Sequence, residues 1–194
     1  MSPAPNDALG RVSLHPEVPV GHRHLVEVVR VAEPTELVQA AVLLGEYRSW
    51  MEDALGTDFA HYQPEARSEY ADPGEYYAAP RGTLLLARVD GDPAGVMGVH
   101  LNEPGLAELK RGFVRRSARG LGVLRALVSR GLSSACALGA RTVFLETSPR
   151  HSPSVSTLAH SFGFEERRPL QFAGYSGAVR MELTLDCIGS GRWS

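Results

Sequence analysis

The residues of this sequence best suited to chemistry lie between Arg119 and Arg125, in the run Arg-Gly-Leu-Gly-Val-Leu-Arg. A predicted strand ends just before this run and a predicted helix begins within it, so unpaired backbone N–H groups would converge at the helix start. The helix dipole and the Arg119 guanidinium add positive charge there. Gly120 and Gly122 permit positive φ and close approach of the backbone. Together these features predict a binding site for a phosphate group.

Two common phosphate-binding motifs do not fit this turn. The dinucleotide fingerprint GxGxxG needs a third glycine near the first strand, whereas this turn lies past mid-chain and position 125 is arginine. The Walker loop GxxxxGK[ST] is absent. From these residues alone, an ordinary strand-to-helix turn that contains glycine remains the open alternative.

Hydrophobic periodicity predicts the elements that would hold this turn in place. Alternating apolar runs indicate strands, apolar residues three or four apart indicate helices, and glycine or proline marks most of the ends. The predicted elements are, in order, a strand at 25–32, a helix at 34–55, two strands within 83–101, a strand at 107–114, a helix at 120–138, a strand at 141–147, a helix at 153–162 and two final strands. Residues 57–82 are predicted to form a short helix and loops that could line a pocket.

This order of elements predicts an α/β fold, with a mixed sheet and helices on both of its faces. One domain is expected at residues 25–186, which is an ordinary length for a single domain. Residues 1–24 are expected to be a flexible N-terminal extension, and residues 187–194 a C-terminal tail.

Composition argues against several classes of function. The net charge is −2, so we expect neither a nucleic-acid partner nor an anionic membrane partner. No apolar run approaches the ~18 residues of a membrane helix, and the first residues lack a signal-peptide pattern. Cys136 and Cys187 form neither a CxxC pair nor a Cys/His spacing. That predicts reduced thiols with Cys136 as a buried filler, a cytoplasmic location and no metal site.

Two longer runs, ELKRGFVRRSARGLGVLRALV and ALGARTVFLETSPRHSPSVSTLAHSFGFEE, resemble the core of GNAT (GCN5-related) N-acetyltransferases. The family's motif, Arg/Gln-x-x-Gly-x-Gly/Ala, is matched in part by residues 119–124. The resemblance covers about residues 25–186. It implies a splayed, mostly antiparallel sheet and transfer of an acetyl group from acetyl-CoA to a primary amine in a ternary complex.

The resemblance also implies roles for individual residues. Backbone groups near Phe113 and Val114 would hold the donor's pantetheine arm and polarise the acyl carbonyl. The pyrophosphate would be bound by a set of consecutive residues, namely Arg119, Gly120, Leu121, Gly122, Val123, Leu124 and Arg125. Ser152 stands where many members have an asparagine that contacts the donor, with a helix N-cap as its alternative role.

Glu108 is the predicted catalytic base, with a solvent-facing or arginine-paired glutamate as the alternative. One of three arginines, Arg111, Arg115 or Arg116, would reach the phosphates, and the other two would lie at a solvated strand edge.

Besides Ser152, the sequence departs from the family pattern at two further positions. Leu124 stands where the family has glycine or alanine, so its side chain must point away from the phosphate. Ala159 stands where many members carry the tyrosine that protonates the departing thiolate. His160 is the next residue but would point about 100° away around the helix, which favours a surface role, and Tyr175 is the other candidate proton donor. These departures leave open a non-catalytic acyl-CoA-binding sensor, and transfer to oxygen is also open. The expected acceptor is an amine-bearing small molecule or a protein N-terminus, and a homodimer is one option for the assembly.

Overall fold

Within the residues that the computed structural model describes (23–56, 66–147, 153–167 and 179–187), seven strands form one mixed sheet in the order β1-β2-β3-β4-β5-β7-β6. The strands are β1 (Val26–Arg30), β2 (Gly82–Val89), β3 (Asp92–Glu103), β4 (Leu106–Val114), β5 (Thr142–Thr147), β6 (Glu165–Arg167) and β7 (Val179–Thr184). The helices are α1 (Pro34–Leu55), α2 (Ala66–Ala71), α3 (Pro73–Tyr76), α4 (Val123–Ala137) and α5 (Pro153–Ser161), and a 3-10 turn lies at Arg116–Ala118. None of the described helices is both long and apolar enough to span a membrane.

The sheet splays between β4 and β5. These two strands are parallel and pair only over Leu106–Glu108 with Thr142–Phe144. Beyond Glu108, β4 stays paired with β3, while β5 pairs with β7 in the antiparallel sense. A gap therefore opens between β4 and β5, which confirms the predicted splayed, mostly antiparallel sheet.

Helices cover both faces of the sheet, as predicted. On one face, the apolar stripe of α1, with Leu43 and Leu44 fully buried, packs on β2 and β3. On the other face, Leu127 and Leu132 of α4 pack on the same strands and on β4. Tyr77, which follows α3, lies directly on β3, where a Cβ atom on Gly98 would overlap its ring.

Strand β4 contains a bulge close to the gap. Arg111 and Gly112 lie opposite a single residue of β3, Met97. Arg111 has a φ of 56°, a left-handed conformation that residues with a side chain rarely adopt. A bulge of this kind bends its strand and increases the local twist. The bulge therefore helps to turn β4 away from β5.

A buried ion pair holds the bulged residue in place. Arg111 Nε and Nη2 donate to the two carboxylate oxygens of Glu69, in α2, at 2.9 and 2.7 Å. The Tyr77 hydroxyl donates to the same carboxylate, and Lys110 Nζ lies 3.5 Å from it. Glu69 is 0% exposed and Arg111 is 5% exposed. Because carboxylate and guanidinium are both dehydrated, each depends on the other for charge compensation.

The same neighbouring charges set the pKa of Glu69 and therefore how the stability of the fold depends on pH. Burial alone would raise the pKa of Glu69, but Arg111, Lys110 and Tyr77 together outweigh burial and lower this pKa below the ordinary 4.5. A lowered pKa means that the folded state favours the ionised carboxylate. The pair therefore stabilises the fold fully above the ordinary, unfolded pKa of 4.5, and this contribution is lost as pH falls through the lowered folded pKa.

The prediction of two reduced cysteines is wrong. Cys136, near the end of α4, forms a disulfide with Cys187, just after β7, across a Cα–Cα distance of 5.7 Å. The pairing is set by the fold, because it joins positions 51 residues apart in sequence. Cys136 is thus a covalent link rather than a buried filler.

We predict that Glu69→Ala lowers the free energy of unfolding by about 3–5 kcal/mol, because Arg111 is left buried without its partner. Glu165→Ala is the matched control, since Glu165 pairs with Arg167 at an exposed site, where removal should cost at most about 1 kcal/mol. Urea unfolding at pH 7 measures both changes. Equal losses in the two variants would contradict the assigned role of Glu69.

Candidate functional site

The predicted phosphate turn has the geometry of an anion site. After the 3-10 turn, Arg119 is extended (φ −69°, ψ 145°), and Gly120 and Gly122 take positive φ values of 83° and 84°. Gly122 is the N-cap of α4, so this helix begins at Val123 rather than at the predicted residue 120. A Cβ atom on either glycine would meet nothing within 4 Å. The two glycines are therefore required by conformation, and the space beside them is open.

The backbone N–H groups at the start of α4 are available to a ligand. Within the described residues, none of the N–H groups of residues 122–125 donates to a backbone carbonyl, and the first such bond of the helix runs from Ala126 to Gly122. Leu121 N–H does have an acceptor, the Ala118 carbonyl at 3.4 Å. Free N–H groups, the positive helix end and open space fit a phosphate group.

The side chains of the turn leave this space clear. Val123 is buried, and Leu121 and Leu124 are half-buried against the core. The Leu124 side chain reaches toward β4, where its Cδ1 lies 3.9 Å from the Cβ position of Gly112. Leucine in place of the family's glycine or alanine is therefore accommodated in the core.

Two arginines frame the turn. Arg119 Nε donates to the Val114 carbonyl at 3.3 Å, which ties the turn to the end of β4. The Arg125 side chain lies over the Phe162 ring and donates to Ser161 Oγ at 3.3 Å. The Arg125 side chain therefore contacts the end of α5. Only its backbone N–H group is then directed to a ligand at the turn.

The end of β4 lies along the gap. Because β5 pairs with β4 only as far as Glu108, residues 109–114 have no β5 partner for the backbone groups on that side. Phe113 and Val114 lie in this stretch, and Val114 is buried. The half-buried Phe113 ring packs edge-on against Tyr47 of α1, with centroids 6.3 Å apart. An extended ligand could thus add to the free edge of β4.

Glu108 lies where the two strands part, and its side chain is 15% exposed. Its carboxylate accepts from Asn102 Nδ2 at 3.2 Å and lies 3.7 Å from Lys110 Nζ. Glu108 is thus neither fully solvated nor paired with an arginine. It belongs to a polar network at the mouth of the gap.

Five residues close this network into a ring, which we call the polar ring: Tyr76, His100, Asn102, Glu108 and Lys110. Lys110 Nζ donates to the Tyr76 hydroxyl at 3.1 Å, and the Tyr76 ring stacks on His100 with centroids 4.8 Å apart. His100 Nδ1 lies 3.4 Å from Asn102 Oδ1, and Asn102 in turn donates to Glu108. Burial would lower the pKa of Lys110, but Glu108 and Glu69 raise it above the ordinary 10.5, so this ammonium stays charged.

Comparison with known proteins agrees with this geometry. The model of the acetyltransferase (GNAT) family matches residues 46–164, which include β4, the turn and α4. The chain belongs to the GNAT acetyltransferase family. An uncharacterized N-acetyltransferase of Schizosaccharomyces pombe is 30% identical over 162 residues, which span 82% of this chain and 95% of that protein.

Solved GNAT structures share the fold at low sequence identity. A GNAT acetyltransferase of Staphylococcus aureus Mu50 superposes with a TM-score of 0.65 and 14% identity, over 82% of this chain and 99% of that one. The PaiA N-acetyltransferase of Thermoplasma acidophilum, solved in complex with coenzyme A, gives a TM-score of 0.60 and 13% identity, over 83% and 99% of the two chains. At such identities the likeness establishes the fold alone.

The expectation for Arg111, one of the three arginines before the turn, needs correction. Arg111 is neither at a solvated edge nor free to reach a phosphate, because Glu69 holds it inside the fold. Arg115 binds the Glu46 carboxylate, with Nη2 at 2.6 Å, and donates to the Pro93 carbonyl. Arg116 is exposed in the 3-10 turn.

Several predicted residues lie away from the site or outside the described part of the chain. Ser152 and Tyr175 fall outside the described residues. Ala159 is 2% exposed in α5, and the exposed His160 bonds the Ser156 carbonyl within its own helix. Among the described residues, no three His, Cys, Asp or Glu side chains are grouped so that they could hold a metal ion.

The structure adds residues that the sequence did not single out, notably Glu69, Tyr76, His100, Asn102 and Lys110. Glu69 and Tyr76 come from the polar, aromatic segment 57–82, which was predicted only in general terms to line a pocket. Lys110 carried one signal, since it is the only lysine in the chain. His100 and Asn102 lie near the end of β3, and His100 is paired with Glu108 in the register that follows the bulge.

We predict that Gly122→Ala lowers the free energy of unfolding by about 1–2 kcal/mol, the cost of left-handed backbone for alanine. The matched control is Gly45→Ala in α1, where nothing lies within 4 Å of the Cβ position and φ is not positive. That control should gain about 0.5–1 kcal/mol. Thermal unfolding of both variants measures the difference, and a neutral or stabilising Gly122→Ala would rule out a conformational requirement at the turn.

Proposed function

We propose that the protein transfers an acetyl group from acetyl-CoA to a primary amine by direct attack in a ternary complex. The observation that carries this proposal is the turn at 119–125, with its free N–H groups and open space at the start of α4. The pyrophosphate of the donor would accept from these N–H groups, with Arg119 adding charge. The coenzyme A complex of the Thermoplasma relative supports a donor of this class.

The free edge of β4 offers a place for the rest of the donor. An arm extended from the turn along residues 109–114 would exchange hydrogen bonds with backbone groups near Phe113 and Val114, as a further strand would. The acyl carbonyl would then lie close to the bulge, where a backbone N–H group could stabilise the oxyanion. In this pose the acyl group ends near the polar ring.

Amide formation needs a base near this point. The amine arrives as an ammonium ion and must lose a proton before its nitrogen can attack the acyl carbon. Glu108 is the base that the resemblance implies, acting directly or through a water, and it lies at the mouth of the gap. Holding both substrates in one cleft supplies a large part of the rate by proximity.

The departing thiolate does not need a tyrosine at position 159. A thiol has a pKa near 8.5, so the thiolate is a tolerable leaving group that water can protonate. Ala159 faces the core, where it is 2% exposed. A proton donor at this position would therefore require repacking of α5.

The acceptor stays a proposal, either an amine-bearing small molecule or a protein N-terminus, and a homodimer stays a proposal for the assembly. A cytoplasmic location is also still a prediction, and the disulfide between Cys136 and Cys187 is the observation against it, since reducing compartments disfavour such bonds.

The second candidate function, an acyl-CoA sensor without turnover, is favoured by Ala159 alone.

We predict that Gly122→Glu abolishes acetyl-CoA binding, because its carboxylate would stand beside the pyrophosphate. Gly91→Glu is the matched control, since Gly91 also has a positive φ of 91° and open space but lies in the β2–β3 turn. Titration calorimetry of both variants and the wild type, with NAD as a ligand control, measures the effect. Unchanged acetyl-CoA affinity in Gly122→Glu would overturn the phosphate assignment.

A panel of primary amines distinguishes the enzyme from the sensor. With acetyl-CoA present, an enzyme releases the coenzyme A thiol in proportion to the acetylated amine, whereas a sensor binds the donor and releases no thiol above the rate without protein. The protein is first removed from the reaction mixture, and a thiol-reactive dye then measures the coenzyme A thiol that was released.

A further inference from the structure

The polar ring fixes the orientation of its histidine. Asn102 presents Nδ2 to Glu108, so its Oδ1 faces His100 and can only accept a hydrogen bond. His100 must therefore carry its proton on Nδ1 when the ring is neutral. The unprotonated nitrogen is then Nε2, at the opposite edge of the imidazole.

His100 lies beside Glu108 in the sheet, one strand further from the gap. They are directly paired across β3 and β4, so their side chains leave the sheet on the same face. That face also carries Tyr76, which stacks on His100 and fixes the plane of the imidazole. The half-buried His100 is thus fixed in orientation by Tyr76 and lies at the same level of the sheet as Glu108.

His100 and Glu108 differ in which acceptor atoms remain free of hydrogen bonds and cations. Glu108 accepts from Asn102 and lies beside the Lys110 ammonium, which stabilises its ionised form. His100 uses Nδ1 for Asn102 and keeps Nε2 as an acceptor. A neutral imidazole is also the better match to proton transfer near neutral pH.

Burial and the nearby cations favour the neutral form of His100 at pH 7. Burial lowers the pKa of His100 below the ordinary 6.5, and Lys110 and Arg81 lower it further. The Asn102 hydrogen bond and the Glu108 charge act in the opposite direction and only partly offset this. Among the described residues, Tyr76 is a further titratable group that faces the imidazole.

We propose that His100, rather than Glu108, takes the proton from the acceptor amine through its Nε2 atom, and that Asn102 and Glu108 are positioning residues. The inference rests on the proposed function and deepens it. The ammonium gives one proton to His100, which passes it to solvent. The amine nitrogen then forms a bond to the acyl carbon, the carbon–sulfur bond breaks, and the second proton leaves the nitrogen for the thiolate by way of water.

Two experiments test this proposal. The first is an NMR titration of the full chain with labelled histidine, which reports the tautomer and pKa of His100 without any substrate. We expect the Nδ1–H tautomer at pH 7 with a pKa below 6.5, and loss of the tautomer preference in Asn102→Ala. Protonated imidazole at pH 7, or a proton on Nε2, would overturn the proposal.

The second experiment compares kcat against pH for the wild type, His100→Gln and Glu108→Gln, with a saturating amine from the panel. His100→Gln should lower kcat by about 10²–10⁴-fold and remove the fall of kcat at acid pH. Glu108→Gln should keep that fall, and His24→Gln, an exposed histidine paired with Asp90, is the control for histidine loss. If Glu108→Gln removes the acid limb and His100→Gln keeps it, Glu108 is the base and the proposal is wrong.

Donor binding separates a failure of this proposal from a failure of the proposed function. Normal acetyl-CoA affinity and amine turnover in His100→Gln would overturn the role of His100 alone. If the wild type neither binds acetyl-CoA nor acetylates any amine, the proposed function fails and the role of His100 fails with it.

Discussion

The bidentate contact between Arg111 and Glu69 is the constraint on which the site depends. Both charges are buried, so neither can leave its position without leaving the other uncompensated. Arg111 lies in the bulge of β4, in a backbone conformation that is unfavourable without support. By holding this residue, a short helix from the irregular segment before β2 fixes the course of β4 and with it the gap beside β5.

The candidate site contains two different kinds of group. At the start of α4 the unpaired groups are backbone N–H groups, which change little with sequence as long as glycine permits the turn. On the side of β3 the polar ring consists of side chains, and each of its members is fixed by at least two others.

The sequence predicted what depends on local pattern. Strand and helix positions, the splay and the glycine turn follow from periodicity, from positive-φ residues and from the resemblance, and the structure agrees with them. The polar ring and the buried pair were missed because their members come from three separate segments, one of which has no periodicity. The disulfide was missed for the same reason, since its two cysteines lie 51 residues apart and meet only in the folded chain.

The surface of the folded protein offers no exposed lysine, because Lys110 is buried. It is the only lysine in the chain, and it is 8% exposed and surrounded by carboxylates. A charged, dehydrated ammonium is a poor nucleophile toward thioesters. An acyl-CoA in contact with the folded chain would therefore meet no reactive lysine, and every other basic side chain of fixed charge is an arginine.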